Sequence, residues 1–275
     1  MIQDIYPSKL HNEYQTYEIT KDDYLFIFND KGELLVGSDS SKSTFPKGSD
    51  ITDSDTIYLF SVDDAKYYLY NKWDSVREIN LDGYSYCSIA DVRDKLTGAD
   101  VYAAFTAYHL WKWYSDNRFC GKCGHKLHHH DKERALKCDS CGNMVFPRIN
   151  PAVIVGVTNG DKILVTKYRT GYAHSALIAG FTEIGETVEE TVSREVMEEA
   201  GIKVKNIQYY KSQPWGMAQD ILMGFFCEVD GDDTIHMDRN ELRYAQWVSR
   251  KDVELQPNNL SLTNEMMRLF KDGNK

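Results

Sequence analysis

Residues 180–202 read GFTEIGETVEETVSREVMEEAGI. Thr187 followed three residues later by Glu190 is a capping box, the signature of a helix start. Val188, Val192 and Val196 then recur at helical spacing and make one apolar stripe. Gly201 stands where a helix stops in the left-handed conformation. The same helix concentrates acid. Glu195, Glu198 and Glu199 are spaced i, i+3 and i+4 and fall within one arc of its surface, while Glu183 and Glu186 sit in the loop leading in. Like charges at that spacing are mildly destabilising. The cluster is either a solvated acidic face or a set of hard oxygen donors for Mg(II) or Mn(II), which would relieve the repulsion. Arg194 is the lone cation of the run. It is expected to pair with Glu186 and hold the loop against the helix.

Upstream, Pro151 opens the run Ala152-Val-Ile-Val-Gly-Val157, whose unbroken apolar character suits a buried strand. Asn159-Gly160 then leads into Lys162-Ile-Leu-Val-Thr166, a hairpin signal. Further back, Cys120, Cys123, Cys138 and Cys141 are spaced C-x2-C-x14-C-x2-C. Two such knuckles supply a tetrahedral Zn(II) site. All four candidate ligands are thiolates, which leaves no open position for water and favours a structural over a catalytic metal. A pair of disulfides is the alternative, with nothing in the sequence to suggest an oxidising compartment. His125 and His128-His129-His130 share this segment and read as a solvated loop rather than a second metal site. Cys87 and Cys227 stand alone as ordinary buried thiols.

Residues 1–95 hold short β-like runs, Tyr24–Phe28, Thr56–Phe60 and Lys66–Tyr70, broken by Asp, Gly, Ser and Asn. They suggest a small, mostly antiparallel β domain. Residues 99–117 read as a helix with Val101, Phe105, Tyr108 and Trp111 at helical spacing, and Trp111 and Trp113 read as core or dimer contacts. The expected division is 1–117, 118–147 and 148–275, an α+β chain in three parts.

Charge supports the same division. The formal net charge of the 275 residues is −10, spread as −8 over residues 1–119, +3 over 120–149 and −5 over 150–275. That balance argues against coating by nucleic acid through bulk electrostatics. With 42% hydrophobic and 27% charged residues the chain can bury a sizeable core. The longest apolar runs are too short to span a bilayer. The opening MIQDIYPSKL carries an early Asp4 and no apolar segment, so the expectation is a cytoplasmic protein without a membrane anchor.

The pattern Gly180-x5-Glu186-x7-Arg194-Glu195-Val196-x-Glu198-Glu199-x-Gly201-Ile202 resembles the Nudix box at every fixed position. The resemblance implies an α/β/α sandwich in residues 148–275, whose loop-helix-loop binds divalent metal and hydrolyses a nucleoside diphosphate linked to another moiety. A β domain, a four-Cys ribbon and a Nudix domain in that order resemble the bacterial NADH pyrophosphatase family, which also removes NAD caps from RNA. That family carries SQPWPFPxS after the box. Here residues 212–220 read SQPWGMAQD, matching at Ser212, Gln213, Pro214 and Trp215 and departing at Gly216, Met217, Ala218 and Asp220. The departure falls in the segment that shapes the pocket over the nicotinamide half.

Carried over by position, the resemblance implies metal ligands at Glu195, Glu199, the carbonyl of Ala179 and Glu241. It makes Glu199 nearest the nucleophilic water and Glu198 a candidate base or third ligand. Gly180, Glu186, Arg194 and Gly201 are the structural members of the box. Substrate contacts are implied for Gln213, Pro214, Trp215, Gly216, Met217, Ala218, Gln219 and Asp220. In the ribbon they are implied for Glu133 and for Phe146, where the family usually has Tyr. Phe keeps a stacking face for a base and loses the hydroxyl. Phe45-Pro-Lys47-Gly48 and Asp91-Val-Arg93 resemble segments that supply Lys47 and Arg93. The implied reaction cuts the pyrophosphate of NAD(H), giving AMP and (reduced) nicotinamide mononucleotide, with NAD-capped RNA as a further substrate and a homodimer as the assembly. Two rival readings stay open: another substrate such as ADP-ribose, and an RNA-binding ribbon beside an inert Nudix domain.

Overall fold

The computed structural model describes residues 1–38, 44–51, 55–71, 79–170 and 174–275. They divide into two units, one of Asp4–Arg148 with Gly216–Ala218, the other of Met1–Gln3, Ile149–Trp215 and Gln219–Lys275.

In the first unit the three β-like runs become β2 (Tyr24–Phe26), β4 (Thr56–Val62) and β5 (Ala65–Tyr70). With β1 (Leu10–His11) they form a sheet of order β1-β4-β5-β2. β4 and β5 are an antiparallel hairpin turned at Asp63, whose φ of 51° is left-handed. β2 runs parallel to β5, which corrects the expectation of a mostly antiparallel pattern for this pair. Direction is set by a hairpin only for neighbours in sequence. β2 reaches β5 through a long connection that includes β3 (Leu34–Gly37) and β4, and parallel pairing needs such a crossover. β3 pairs with β6 (Tyr84–Cys87). After α1 (Ile89–Lys95), the expected long helix spans α2 (Gly98–Asp116) and buries Val101, Phe105 and Trp113. Trp111 stacks on Phe28 with ring centroids 5.0 Å apart. Both tryptophans are therefore engaged in packing within this unit. The four-Cys segment adds β7 (His128–His129), β8 (Leu136–Lys137) and β9 (Met144–Val145), a three-stranded antiparallel sheet.

The second unit is built on β10 (Asn150–Asn159) and β11 (Lys162–Tyr168), joined by the expected hairpin. β12 (Ile178–Phe181) pairs with β10, and α3 (Val188–Ala200) follows. β13 (Val204–Trp215), β14 (Asp220–Val229) and β15 (Leu242–Ser249) complete a six-stranded sheet of order β13-β14-β10-β11-β15, with β12 on β10 and β10 parallel to β14. α4 (Leu262–Lys271) closes the chain. Alternation along the strands explains the layers. Val153, Val155, Val157 and Leu164 pack with Val192 and Val196 of α3 on one face. Ile154, Ile163 and Val165 pack with Met266, Met267 and Phe270 of α4 on the other. This is the α/β/α sandwich. The apolar run 152–157 is unbroken because both faces of its strand are covered. Each fully buried valine of the α3 stripe contributes about 1.5–3 kcal/mol relative to exposure. Among the described residues no helix is long and apolar enough to cross a membrane.

Candidate active site

α3 begins as the sequence predicts. The Thr187 hydroxyl accepts the Glu190 N–H, and the Glu190 carboxylate accepts the Thr187 N–H at 2.7 Å. The helix ends at Gly201, whose φ is 70°. The loop entering it is held by Arg194. Its Nε donates to Glu186 at 2.6 Å, Nη1 to Glu195 at 2.8 Å and Glu198 at 3.0 Å, and Nη2 to Glu186 and the Phe181 carbonyl at 3.0 and 2.9 Å. The planar fork of an arginine reaches these acceptors together, which a lysine ammonium cannot do. The hydrogen bond from Arg194 leads the causes that hold the Glu186 carboxyl down to about 2.

The three helix acids do not share one environment. Glu195 and Glu199 turn inward, at 9% and 2% exposure, while Glu198 lies in solvent beside Arg194. Burial comes first among the causes that raise the Glu195 carboxyl. For Glu199, burial and then the charges of Glu195 and Glu241 push the carboxyl up to about 8. Glu241, just ahead of β15, is exposed but near enough to act on both. Gly180 makes room for this arrangement: a Cβ there would lie 1.9 Å from the Glu195 carboxyl carbon. Ala179 precedes it on β12, and its N–H donates to the Tyr168 hydroxyl at 3.1 Å. That hydroxyl lies 3.3 and 3.4 Å from the two Glu199 oxygens. Two buried carboxylates, one of them raised by the other's charge, with a carbonyl beside them, are a donor set suited to a hard divalent cation.

Tyr168 is the residue that sequence reasoning missed. The signal was the alternation along β11. Leu164 faces α3, so Tyr168, four residues on, points to the same face and reaches Glu199.

The four cysteines form a second centre, in the first unit. Their sulfurs all lie within 4.8 Å of one another. The separations are 3.7 Å for Cys120–Cys141, 3.4 Å for Cys123–Cys138 and 3.3 Å for Cys123–Cys141. A tetrahedron with Zn–S of about 2.3 Å has edges of about 3.8 Å, close to these values and far from a covalent S–S bond. All six cysteines are free thiols, which removes the disulfide alternative. The two knuckles have one design. Cys120 N–H donates to His125 and Gly124 N–H to Cys120; Cys138 N–H donates to Asn143 and Gly142 N–H to Cys138. Gly124 and Gly142 have φ of 77° and 72°, which glycine tolerates best. Burial raises the Cys120 thiol, and the N–H groups of Lys122 and Cys123 with the neighbouring sulfurs more than offset it, leaving it at about 6. A lowered thiol favours the thiolate that binds metal.

The remaining positions are spread through the chain. Lys47 lies over the Tyr24 ring at 5.3 Å, and Arg93 pairs with Asp94 at 3.3 Å. Glu133 is exposed, as is Phe146. These four and Gly216–Ala218 belong to the first unit; Gln213–Trp215, Gln219 and Asp220 belong to the second. Gln213 is wholly buried, and its amide is committed to the fold. It donates to the Leu260 carbonyl at 2.7 Å and to Gln3, and accepts from the Leu262 N–H at 2.8 Å. Asp220 is buried with its Oδ1 unpartnered, and burial pushes its carboxyl up to about 6.

This sandwich, with its capped acidic helix behind a glycine, defines a Nudix hydrolase fold, and residues 148–270 match the NUDIX domain model. Residues 115–146 match the NADH pyrophosphatase zinc ribbon domain. The chain thus carries a Nudix domain preceded by a zinc ribbon of the NADH pyrophosphatase type, and the four-Cys cluster fits a structural zinc. It is 42% identical over 151 residues to a Salmonella schwarzengrund protein named NAD-capped RNA hydrolase NudC, and equally to one of that name from Escherichia coli. Each match covers 54% of this chain, and the chain spans 58% of the length of these curated relatives. A Nudix hydrolase structure from Nitrosomonas europaea aligns with a TM-score of 0.50 at 19% identity, covering 56% of this chain and 91% of that one, which supports the fold.

Proposed function

We propose that this protein is a metal-dependent pyrophosphohydrolase that cuts NAD(H) into AMP and (reduced) nicotinamide mononucleotide, and removes NAD caps from RNA by the same cleavage. The observation that carries the reading is the pairing of buried Glu199 and Glu195, in a complete Nudix box, with the zinc ribbon of the NADH pyrophosphatases. The names of the relatives point to NAD-capped RNA as the second of these substrates.

Glu199, Glu195, Glu241 and the Ala179 carbonyl would hold Mg(II) or Mn(II). Such ions neutralise the pyrophosphate charge and lower the pKa of a bound water. The chain's own part is to fix these donors. Gly180 leaves space for Glu195, Arg194 ties Glu195 and Glu186 to the loop, and the sandwich keeps Glu199 away from bulk solvent. Positioning and electrostatics supply most of the rate in such displacements. Glu198, exposed beside Arg194, is the candidate base that solvent can reach. Lys47, Arg93, Glu133, Phe146 and residues 213–220 are the proposed substrate contacts, with Gln213 acting through the segment it anchors. We assign residues 1–117, 118–147 and 148–275 as the three functional parts, and a cytoplasmic homodimer as the working form.

The test is a hydrolysis panel with Mg(II) or Mn(II) against NADH, NAD, ADP-ribose, a diadenosine polyphosphate and an NAD-capped RNA, with AMP and mononucleotides followed by chromatography. A lead of about tenfold, or 1.4 kcal/mol, for NAD(H) or capped RNA is expected. A lead for ADP-ribose would mean that Gly216–Asp220 has re-specified the pocket.

A further inference from the structure

We infer that Tyr168 is a positioning residue for the catalytic metal, acting through Glu199 and Ala179; the inference rests on the reading just given. A phenol has one proton to donate. The Ala179 N–H donates to the Tyr168 oxygen at 3.1 Å, so that side of the hydroxyl is engaged as an acceptor. Three acceptors lie around its proton: Glu199 Oε1 at 3.3 Å, Glu199 Oε2 at 3.4 Å and the Ala179 carbonyl at 3.4 Å. All three belong to the two groups proposed to hold the cation. The hydroxyl is therefore shared between them, at distances longer than a settled O–H···O bond of about 2.7–2.8 Å.

The backbone makes this sharing rigid from the tyrosine side. Tyr168 ends β11, and the register between β11 and β15 shifts between Lys167 and Tyr168. The extra residue, Arg243, lies on β15, so the alternation of β11 runs unbroken to Tyr168. The strand places Leu164 and Tyr168 on the α3 face, so the ring enters from the sheet while Glu199 enters from the helix. Ala179 comes from a third element, β12. One hydroxyl thus ties together a strand end, a helix and a second strand at the point where the donor set converges. Were either group to hold a cation, the hydroxyl would keep the other as its acceptor, which would fix the contact. Partners of this kind orient metal ligands, and their loss costs about 10–100-fold in affinity or activity.

The test is Tyr168→Phe, which removes the hydroxyl and keeps the ring. Mn(II) binding is measured by calorimetry without substrate, and kcat and KM are measured for NADH. The expected result is Mn(II) affinity and kcat each reduced about tenfold, with KM and the melting temperature nearly unchanged. Unchanged Mn(II) affinity with unchanged kcat overturns the inference. A fall in melting temperature with no change in Mn(II) affinity also overturns it, because that is a packing role. Should the variant not fold, wild-type protein labelled at the tyrosine ring carbon bearing oxygen is titrated with Mg(II) by NMR. Tyr168, assigned by elimination against other tyrosine variants, is expected to shift with metal, and a resonance that stays put overturns the inference. Absence of hydrolysis by the wild type would instead remove the reading of the site as an enzyme, and the two metal titrations would still decide the role of Tyr168.

Discussion

Gly180 and Glu195 compete for the same space: a Cβ on residue 180 would stand 1.9 Å from the Glu195 carboxyl carbon and 2.1 and 2.2 Å from its oxygens. The glycine is needed for close approach rather than for an unusual backbone angle. Gly180→Ala is expected to displace Glu195 and break its contact with Arg194, lowering turnover by about 100-fold, in line with the cost of small misplacements of catalytic groups. The fold should persist, since the sandwich core lies elsewhere. Steady-state kinetics with a far-UV spectrum and a melting curve check this; wild-type turnover in Gly180→Ala would contradict the close approach.

Glu199→Gln keeps shape and removes charge from the most deeply buried acid of the site. Turnover should fall by about three orders of magnitude, as for other groups that stabilise charge in the transition state. At neutral pH the metal-free variant should be at least as stable as wild type, because a carboxyl raised from 4.5 to about 8 costs the folded state stability as pH rises through that interval, a cost that is complete above about 8. Single-turnover assays and melting curves read the two effects separately. A variant with near-normal turnover would remove Glu199 from the catalytic assignment.

Arg194→Lys tests the fork. A lysine can retain one of the contacts to Glu186, Glu195 and Glu198, but not the set made by Nε, Nη1 and Nη2. Activity should drop about tenfold or more through loss of loop and carboxylate position. Metal titration of activity is the check. A variant that matches wild type would mean that charge alone, not shape, is what the loop requires.

Much of this site was legible in residues 180–202, because its determinants are local. The Thr187–Glu190 box, the Val188–Val192–Val196 stripe, the Gly201 stop and the Arg194–Glu186 pair all depend on neighbours within two or three helical turns, where spacing fixes geometry. The four cysteines were legible for a similar reason: each knuckle is a short turn that prescribes its own shape. What escaped depends on contacts remote in sequence. Tyr168 meets Glu199 across 31 positions, and Gln213 meets Leu260 and Leu262 across 47 and 49. Alternation puts Tyr168 on the same face of β11 as Leu164, but does not record that Glu199 will stand opposite it. The parallel β2–β5 pairing escaped likewise, since alternation gives a strand its faces but not its direction.

Cys138→Ser addresses the zinc centre. Cys138 is fully buried, and its N–H is used within the second knuckle. Around it the segment contributes only short strands of two residues each, so little apolar core holds it without metal. Structural zinc can supply about 10–16 kcal/mol of apparent binding energy to such a segment. Loss of zinc and loss of the ordered ribbon are expected together, by elemental analysis and limited proteolysis. A zinc-free variant with an intact, protease-resistant ribbon would contradict the structural role.

Asp220 gives the pH dependence a definite sign. Its carboxyl is buried, one oxygen has no partner, and its folded value of about 6 lies above the ordinary 3.8. A carboxyl raised by folding favours the native state most fully below the unfolded value. That contribution is lost as pH rises through the folded value, here between about 4 and 6. After allowing for solvent screening the loss is on the order of 1 kcal/mol. Asp220→Asn removes the titration. The variant should therefore match wild type near pH 3.5 and exceed it near neutrality, with the difference opening across that interval in urea denaturation curves. A difference that is constant with pH would mean that Asp220 is not the buried titrating group the geometry describes.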